Sequence, residues 1–212
     1  MIKTILWDFD GVILNSMPIR DLGFEEIFKD YDRENVEKLL DFHRQNGGLS
    51  RYVKIKFFFQ EVLDREISEE GIVKIASEFS RIMRKELVNQ KYLIEETVGF
   101  IKDNSNNFNF HIVSGSDEHE LKFLCQKLGL ESYFISVHGS PTPKVTLVAN
   151  LLDRYSYSNF ETCLIGDSIN DFEASKENMI SFYGYNNRKL LSLPETHYIE
   201  NFKEFSRDIR KH

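Results

Sequence analysis

The stretch ILWDFDGVIL, residues 5–14, decides how the rest of the chain is read. Ile5, Leu6 and Trp7 belong to an apolar run that stops at Asp8 and Asp10, and Gly11 follows them. A short run of this kind reads as a buried strand, and a strand turns residues two apart to the same face. Two carboxylates so close together repel unless something cationic sits between them and a substrate. The strand end therefore asks for a metal ion or a proton.

Composition narrows the possible functions. With 212 residues, 41% of them hydrophobic, the chain can bury one full core, or one core and a small accessory domain. A formal charge of −7 disfavours nonspecific nucleic-acid binding, which needs Lys and Arg to neutralise phosphates. An anionic substrate must then meet a local positive site. The two cysteines, Cys125 and Cys163, lie in apolar stretches without a CxxC or Cys/His spacing, so they read as buried free thiols. No apolar run reaches about 18 residues and no leader-like cleavage site follows the N-terminus, so a cytoplasmic protein without a membrane partner is expected.

Further short apolar runs at residues 110–113, 133–137, 161–166 and 180–184 read as strands like the first, at 3–9. Between them EETVGFIKDN (95–104), SDEHELKFLCQKLGL (116–130) and KVTLVANLLDRY (144–155) carry helical spacing. Alternating strand and helix predicts an α/β fold with a parallel sheet. Ser116 is expected to cap the helix that Gly129 stops. Residues 17–88 differ: they are rich in Lys, Arg, Glu and Phe, lack a strand, and predict four helices, at 19–30, 33–45, 51–63 and 68–87. The FFF run at 57–59 reads as packing between those helices. The division expected is a core of residues 1–15 and 90–212 with a helical cap of residues 16–89 inserted after the first strand. Connections are placed near 15–18, where Pro18 sits, and near 88–93.

In an open parallel sheet the ligand crevice lies beyond the carboxyl ends of the strands. Asp8 and Asp10 end the first strand there. Other strands end at Ser114 in HIVSGS and at Asp167 in LIGDSIND, with Asp171 four positions on, while GSPTPK leads to Lys144 at a helix start. Mg²⁺ prefers hard oxygen ligands and keeps several waters, so Asp8, Asp167 and a backbone carbonyl suffice to hold it. With the ion and Lys144 neutralising charge, a phosphoryl group can approach Asp8 as nucleophile and form an aspartyl-phosphate. Asp10 then moves the proton, to the leaving oxygen and later from the attacking water. Ser114 and the amides after it, beginning with Gly115, hold phosphoryl oxygens.

These motifs together resemble the haloacid dehalogenase-like hydrolase superfamily, in its group with a helical cap after the first strand. The family's DxDG corresponds to Asp8, Phe9, Asp10 and Gly11, its Ser/Thr motif to Ser114, its lysine to Lys144, and GDxxxD to Gly166, Asp167 and Asp171. The resemblance implies a Rossmann-like core with a four-helix cap. It also implies metal ligation by Asp8, by Asp167 and by Asp10 through its backbone carbonyl, with Asp171 either reaching the metal through water or orienting Lys144. One departure is that Pro143 precedes Lys144, where the family usually has a proline after its lysine. Dehalogenases of the superfamily lack a carboxylate at the place of Asp10, which argues for phosphoryl chemistry. Phosphonate-cleaving relatives need a cap lysine where this chain has Arg51, and arginine cannot form the imine. Gly48, Leu49, Ser50 and Arg51 are similar to the cap loop of β-phosphoglucomutase and related sugar-phosphate enzymes. Arg51, Ser50, Lys54 and, more weakly, Arg20 are therefore candidates to meet the substrate; Ser50 has the alternative role of helix cap. The histidines His43, His111, His119 and His138 read as structural or surface residues. The expected function is a Mg²⁺-dependent phosphatase for a small phosphorylated metabolite, a sugar phosphate or a phosphoglycolate-like compound. The alternatives are a phosphosugar mutase and a non-catalytic phospho-ligand-binding protein.

Overall fold

The computed structural model describes residues 1–209. Strand β1 (Thr4–Trp7) is buried along its whole length, as its apolar sequence requires for the middle of a parallel sheet. Its alternation splits the core in two. Ile5 and Trp7 join one cluster, where Trp7 packs on Phe100, Phe110 and Phe202, and Leu6 joins the other, with Val113, Leu147, Val148 and Leu164. Around β1 stand β2 (Asn109–Asp117), β3 (Ser136–Ser140), β4 (Thr162–Gly166), β5 (Ser181–Tyr185) and β6 (His197–Ile199). Their order is β3-β2-β1-β4-β5-β6, and every neighbouring pair is parallel. Helices cover both faces: α5 (Glu95–Asn104), α6 (Glu118–Lys127) and α9 (Phe202–Asp208) on the Trp7 side, α7 (Lys144–Tyr155) and α8 (Ile169–Glu177) on the Leu6 side. This is the expected α/β architecture.

Connections run to opposite sides of β1 toward β2 and β4, which puts the ligand crevice at the carboxyl end of β1. Register aligns those ends. Trp7 is level with Ile112 on one side and Ile165 on the other, so Asp8 and the residues after Val113 and Gly166 emerge side by side.

Between β1 and β2 lie α1 (Met17–Ile27), α2 (Arg33–Gln45), α3 (Arg51–Phe57) and α4 (Glu69–Glu86). The helix expected at 51–63 stops being α-helical at Phe57 and continues as one wide π-helical turn, Phe58–Val62. The aromatic run spans this change: Phe57 stacks on Phe42, while Phe58 is buried against Phe28 and Tyr31. The two strands of chain that join this helical insert to the sheet bond to each other, Asn15 N–H to Tyr92 O and Ile94 N–H to Ile13 O, at 2.8 and 2.9 Å.

Several expectations need correction. β3 starts three residues later than expected, because Glu131–Tyr133 form a 3₁₀ turn. The helix after β2 is capped by Asp117, whose Oδ1 accepts from Glu120 N–H, and not by Ser116, which still belongs to the strand. Neither the three-residue β6 nor α9 was expected; a strand that short shows no period. No described helix is long and apolar enough to cross a membrane, and both cysteines are buried and unbridged.

Candidate active site

Four chain segments bring charged side chains together beyond the carboxyl ends of β1 and β4. Asp8 follows β1 and is buried; Asp167 follows β4; Asp171 lies in the first turn of α8; Lys144 opens α7. Lys144 Nζ donates to Asp8 Oδ1 at 2.8 Å and to Asp171 Oδ1. Asp171 is also the third residue of a capping box, in which Ser168 Oγ accepts from Asp171 N–H and Asp171 Oδ2 accepts from Ser168 N–H at 3.0 Å. Lys144 has no preceding cap side chain and places a positive charge against the helix dipole, a cost that its two carboxylate partners offset.

Oxygens of Asp8, Asp167 and Asp171 lie within 4.8 Å of one another, so three carboxylates share one ammonium. Burial, then the Asp171 charge, lifts Asp8 to about 7 despite Lys144. Burial and then the charge of Asp8 raise Asp167 well above the ordinary carboxylate range. Burial alone would lower Lys144, but Asp171 and Asp8 hold it above the usual lysine value. Close, partly buried, all-oxygen donors with too little positive charge suit a hard divalent cation.

Gly11 makes this arrangement possible. Its φ is +74°, and a Cβ there would collide with the Asp167 carboxylate, so only glycine fits. Asn186 Nδ2 holds the Gly11 carbonyl at 3.0 Å and Asn187 Nδ2 the Asp167 carbonyl at 2.7 Å. Neither asparagine was expected from the sequence; both come from the loop after β5.

Asp10 faces a different set of partners. Arg20 Nε donates to its Oδ1 at 2.7 Å, Ser16 Oγ donates to the same oxygen, and Ser116 Oγ donates to its Oδ2 at 2.5 Å. Burial pushes its pKa up, but the Arg20 charge and the serine hydroxyls outweigh this and hold it below the ordinary value. Its side chain is thus committed to Arg20 and the two serines, and the side-chain oxygens gathered near Lys144 are those of Asp8, Asp167 and Asp171.

A cavity of about 10 Å³ separates the two groups, lined by Asp8, Asp10, Ser114, Gly115 and Asp167 and roofed by Gly47 and Gly48 of the helical insert. Such a space is scarcely enough for one water. Contact there is tight: a Cβ on Gly115 would strike the Gly48 carbonyl, and one on Gly48 would strike Ser168 and Asn170. Two larger hollows, of about 560 and 580 Å³, lie on the outer face of α1, α2 and α4 and beside α8 and β5, away from the carboxylates.

The candidates in the insert separate into two kinds. Arg20, Arg51 and Lys54 are buried and line a second cavity of about 20 Å³ together with Asp10, His43 and Gly115. Ser50 is a helix cap: its Oγ accepts from Val53 N–H at 3.4 Å. Lys54 Nζ donates to Gly47 O at 3.1 Å, and burial followed by the Arg20 charge pushes it down to about 7. His43, read as structural or at the surface, is buried in this cavity wall and held neutral, pushed by burial to about 2. Ser16 and Glu120 escaped the sequence reading and Ser116 was read only as a helix cap; Ser116 and Glu120 become visible only through partners distant along the chain, and Ser16 through the turn that brings it back to Asp10.

Residues 5–185 match the family model for haloacid dehalogenase-like hydrolases. A phosphorylated carbohydrates phosphatase from Thermotoga maritima is 22% identical over 181 residues, covering 82% of this chain and 80% of that protein. The crystal structure of β-phosphoglucomutase from Clostridium difficile superposes with a TM-score of 0.76 at 17% identity, covering 100% of this chain and 98% of that one. A protein described as a predicted phosphoglycolate phosphatase from Haemophilus somnus gives 0.72 at 16% identity, with 97% of each chain covered.

Proposed function

The chain belongs to the haloacid dehalogenase-like hydrolase family, and from that premise we propose that it is a Mg²⁺-dependent phosphatase of a small phosphorylated metabolite that works through phosphorylation of Asp8. The observation that carries the reading is the meeting of Asp8, Asp167 and Asp171 around the single ammonium of Lys144. A structural role alone leaves the excess negative charge unexplained, because burying like charges raises their pKa values at a cost to folding.

Asp8, Asp167 and the Asp10 backbone carbonyl would hold the ion, with Asp171 fixing Lys144 beside it. When bound, Mg²⁺ supplies neutralisation of the phosphoryl oxygens and of the carboxylate that must approach them. An Asp8 oxygen attacks phosphorus, the bond to the ester oxygen breaks, and that oxygen takes a proton from Asp10 as the alcohol leaves. Water then attacks phosphorus, the Asp8 acyl phosphate bond breaks, and Asp10 receives the proton from water. Asp10 is ionised as Arg20 holds it, which suits the second step; the phosphoryl charge arriving beside it raises its pKa and suits the first. Ser114 Oγ and the amides near Gly115 serve as donors to the phosphoryl oxygens, and Lys144 keeps Asp8 aimed and partly neutralised.

Residues 16–89 act as the cap and residues 1–15 with 90–212 as the core. Pairing of the two connections at Ile13–Ile94 and Asn15–Tyr92 supports a hinge there. Closure of the Gly47–Gly48 roof excludes bulk water from the acyl phosphate until the alcohol has left. The test is phosphate release from an aryl phosphate with Mg²⁺ and with a chelator. Turnover that needs the ion and vanishes in Asp8→Asn is expected; no turnover with any divalent cation overturns the proposal.

A further inference from the structure

The mechanism above leaves a buried ionic set at the cap end of the site without a task. Glu120, in the first turn of α6, is fully buried and takes two cap guanidiniums: Arg20 Nη1 donates to Oε1 at 3.0 Å and Arg51 Nη1 to Oε2 at 2.6 Å. Arg20 also binds Asp10, and Arg51 Nη1 also donates to Ser80 Oγ at 2.5 Å. Two guanidiniums thus face two carboxylates, and their charges cancel. Lys54 lines the same cavity, where its Nζ donates to the Gly47 carbonyl and the Arg20 charge helps push it down.

Cancelled charge does not mean spent hydrogen-bonding capacity. Arg20 Nη2 and Arg51 Nη2 are buried and have no hydrogen-bond partner among the described residues, and the same holds for both ring nitrogens of His43, of which Nε2 lies 3.6 Å from Asp21 Oδ1. All three side chains line the 20 Å³ cavity beside Asp10. A neutral imidazole offers one donor and one acceptor, and the two Nη2 groups are donors. Hydroxyl groups, which both donate and accept, satisfy such a set. A carboxylate or second phosphate only accepts, leaves the imidazole acceptor unmet, and brings negative charge toward Glu120 and Asp10, with Lys54 as the one cation lining the cavity that no carboxylate pairs among the described residues.

We propose that Glu120 is a specificity-determining positioning residue: by neutralising Arg20 and Arg51 it makes the cap end of the cavity a site for the uncharged hydroxyls of a sugar or polyol monophosphate and takes away the attraction that the two guanidiniums would offer a second anionic group. The inference rests on the phosphatase reading and narrows its substrate class, against phosphoglycolate-like compounds and bisphosphates.

The experiment compares kcat/KM for glucose 6-phosphate and glycerol 3-phosphate with that for 2-phosphoglycolate and fructose 1,6-bisphosphate, using p-nitrophenyl phosphate as reference, all with Mg²⁺. The wild type is expected to favour the monophosphates with hydroxyl tails at least about tenfold. Glu120→Gln, which unmasks one positive charge, is expected to shift the ratio toward the dianionic tails at least about tenfold, chiefly through KM, while Glu120→Asp keeps the wild-type ratio. A wild type that prefers phosphoglycolate or the bisphosphate overturns the inference, as does a Glu120→Gln ratio equal to that of the wild type. Should Glu120→Gln not fold, the wild-type ratio alone decides. Failure on all esters including the aryl phosphate overturns the phosphatase reading and this inference together; aryl phosphate turnover with the wrong preference overturns the inference alone.

Discussion

Replacing Asp8 by Asn removes one negative charge from the cluster at nearly constant shape, so it isolates what that charge costs the fold. Asp8 stands at about 7 against an ordinary 3.8, through burial first and the Asp171 charge second. A folded-state value above the unfolded one means that the folded chain holds the extra proton between those limits, so stability falls as pH rises across that window. At about 1.4 kcal/mol per pKa unit, ionised Asp8 costs the metal-free protein about 4 kcal/mol above neutrality. Asn cannot ionise and escapes this loss. In urea unfolding with a chelator present, Asp8→Asn is expected to match the wild type near about pH 4 and to exceed it by about 4 kcal/mol near about pH 8. For a chain of this size that is on the order of 10 °C in Tm. His43 and His111, which burial pushes to about 2 and about 4 from 6.5, act in the opposite sense: stability rises with pH until the ordinary value is passed. Both titrate alike in the two proteins and cancel in the difference. Turnover, meanwhile, is lost. A metal-free variant less stable than the wild type at the higher pH, or a difference that is the same at both, would refute the reasoning.

Mg²⁺ at about 100 times its Kd should add about 2.7 kcal/mol to the wild type, measured as a Tm increase, and much less to Asp8→Asn; equal increments would remove Asp8 from the ion site. Lys144→Met leaves the buried carboxylates without their cation, so urea unfolding near neutral pH should show a loss of about 3–5 kcal/mol and turnover should cease. A variant that unfolds like the wild type would mean Lys144 balances nothing. Gly115→Ala sets a methyl against the Gly48 carbonyl and props the roof open, so kcat/KM should fall by about 10²-fold with little change in Tm; undiminished turnover would show that this contact plays no part in closure.

How much of this could be read from the sequence depends on how far apart the interacting residues lie. Asp8 and Asp167 were legible because each follows the end of a strand, and a parallel sheet gathers strand ends whatever the spacing between them; Ser114 was expected at a strand end too, but β2 runs on to Asp117, and Ser114 joins them where β2 passes the end of β1. The lengths of α2, α5 and α7 were legible for a similar reason, since apolar residues recur through each at helical spacing. Ser116 was misread because Ser116 and Asp117 both have cap chemistry, and nothing local tells which one the helix uses. The register shift between Val113 and Asp117 carries the strand one residue past Ser116, freeing its hydroxyl for Asp10. Glu120 was out of reach altogether. In the sequence it is an acid in a helix's first turn, and its significance comes from Arg20 and Arg51, 100 and 69 residues away.

The distribution of charge ties these parts into one scheme. A chain with a net charge of −7 has to admit an anionic ester, and it does so with two ends of opposite design. At the reacting end three carboxylates outnumber one lysine, an imbalance that a divalent cation would correct while drawing phosphoryl oxygens in. At the cap end each guanidinium is matched by a carboxylate, so the guanidinium donors left over recognise hydroxyl groups and Lys54 alone lacks a carboxylate partner among the described residues lining that cavity. Arg20 belongs to both ends, since its Nε holds Asp10 and its Nη1 holds Glu120. Arg20 and Arg51 both belong to the cap, so lifting it would part both from Glu120 and would part Arg20 from Asp10. The acidity of the proton carrier and the closure of the cap therefore depend on the same guanidinium, and a bound substrate meets Asp10 in its most acidic state only when the roof is down.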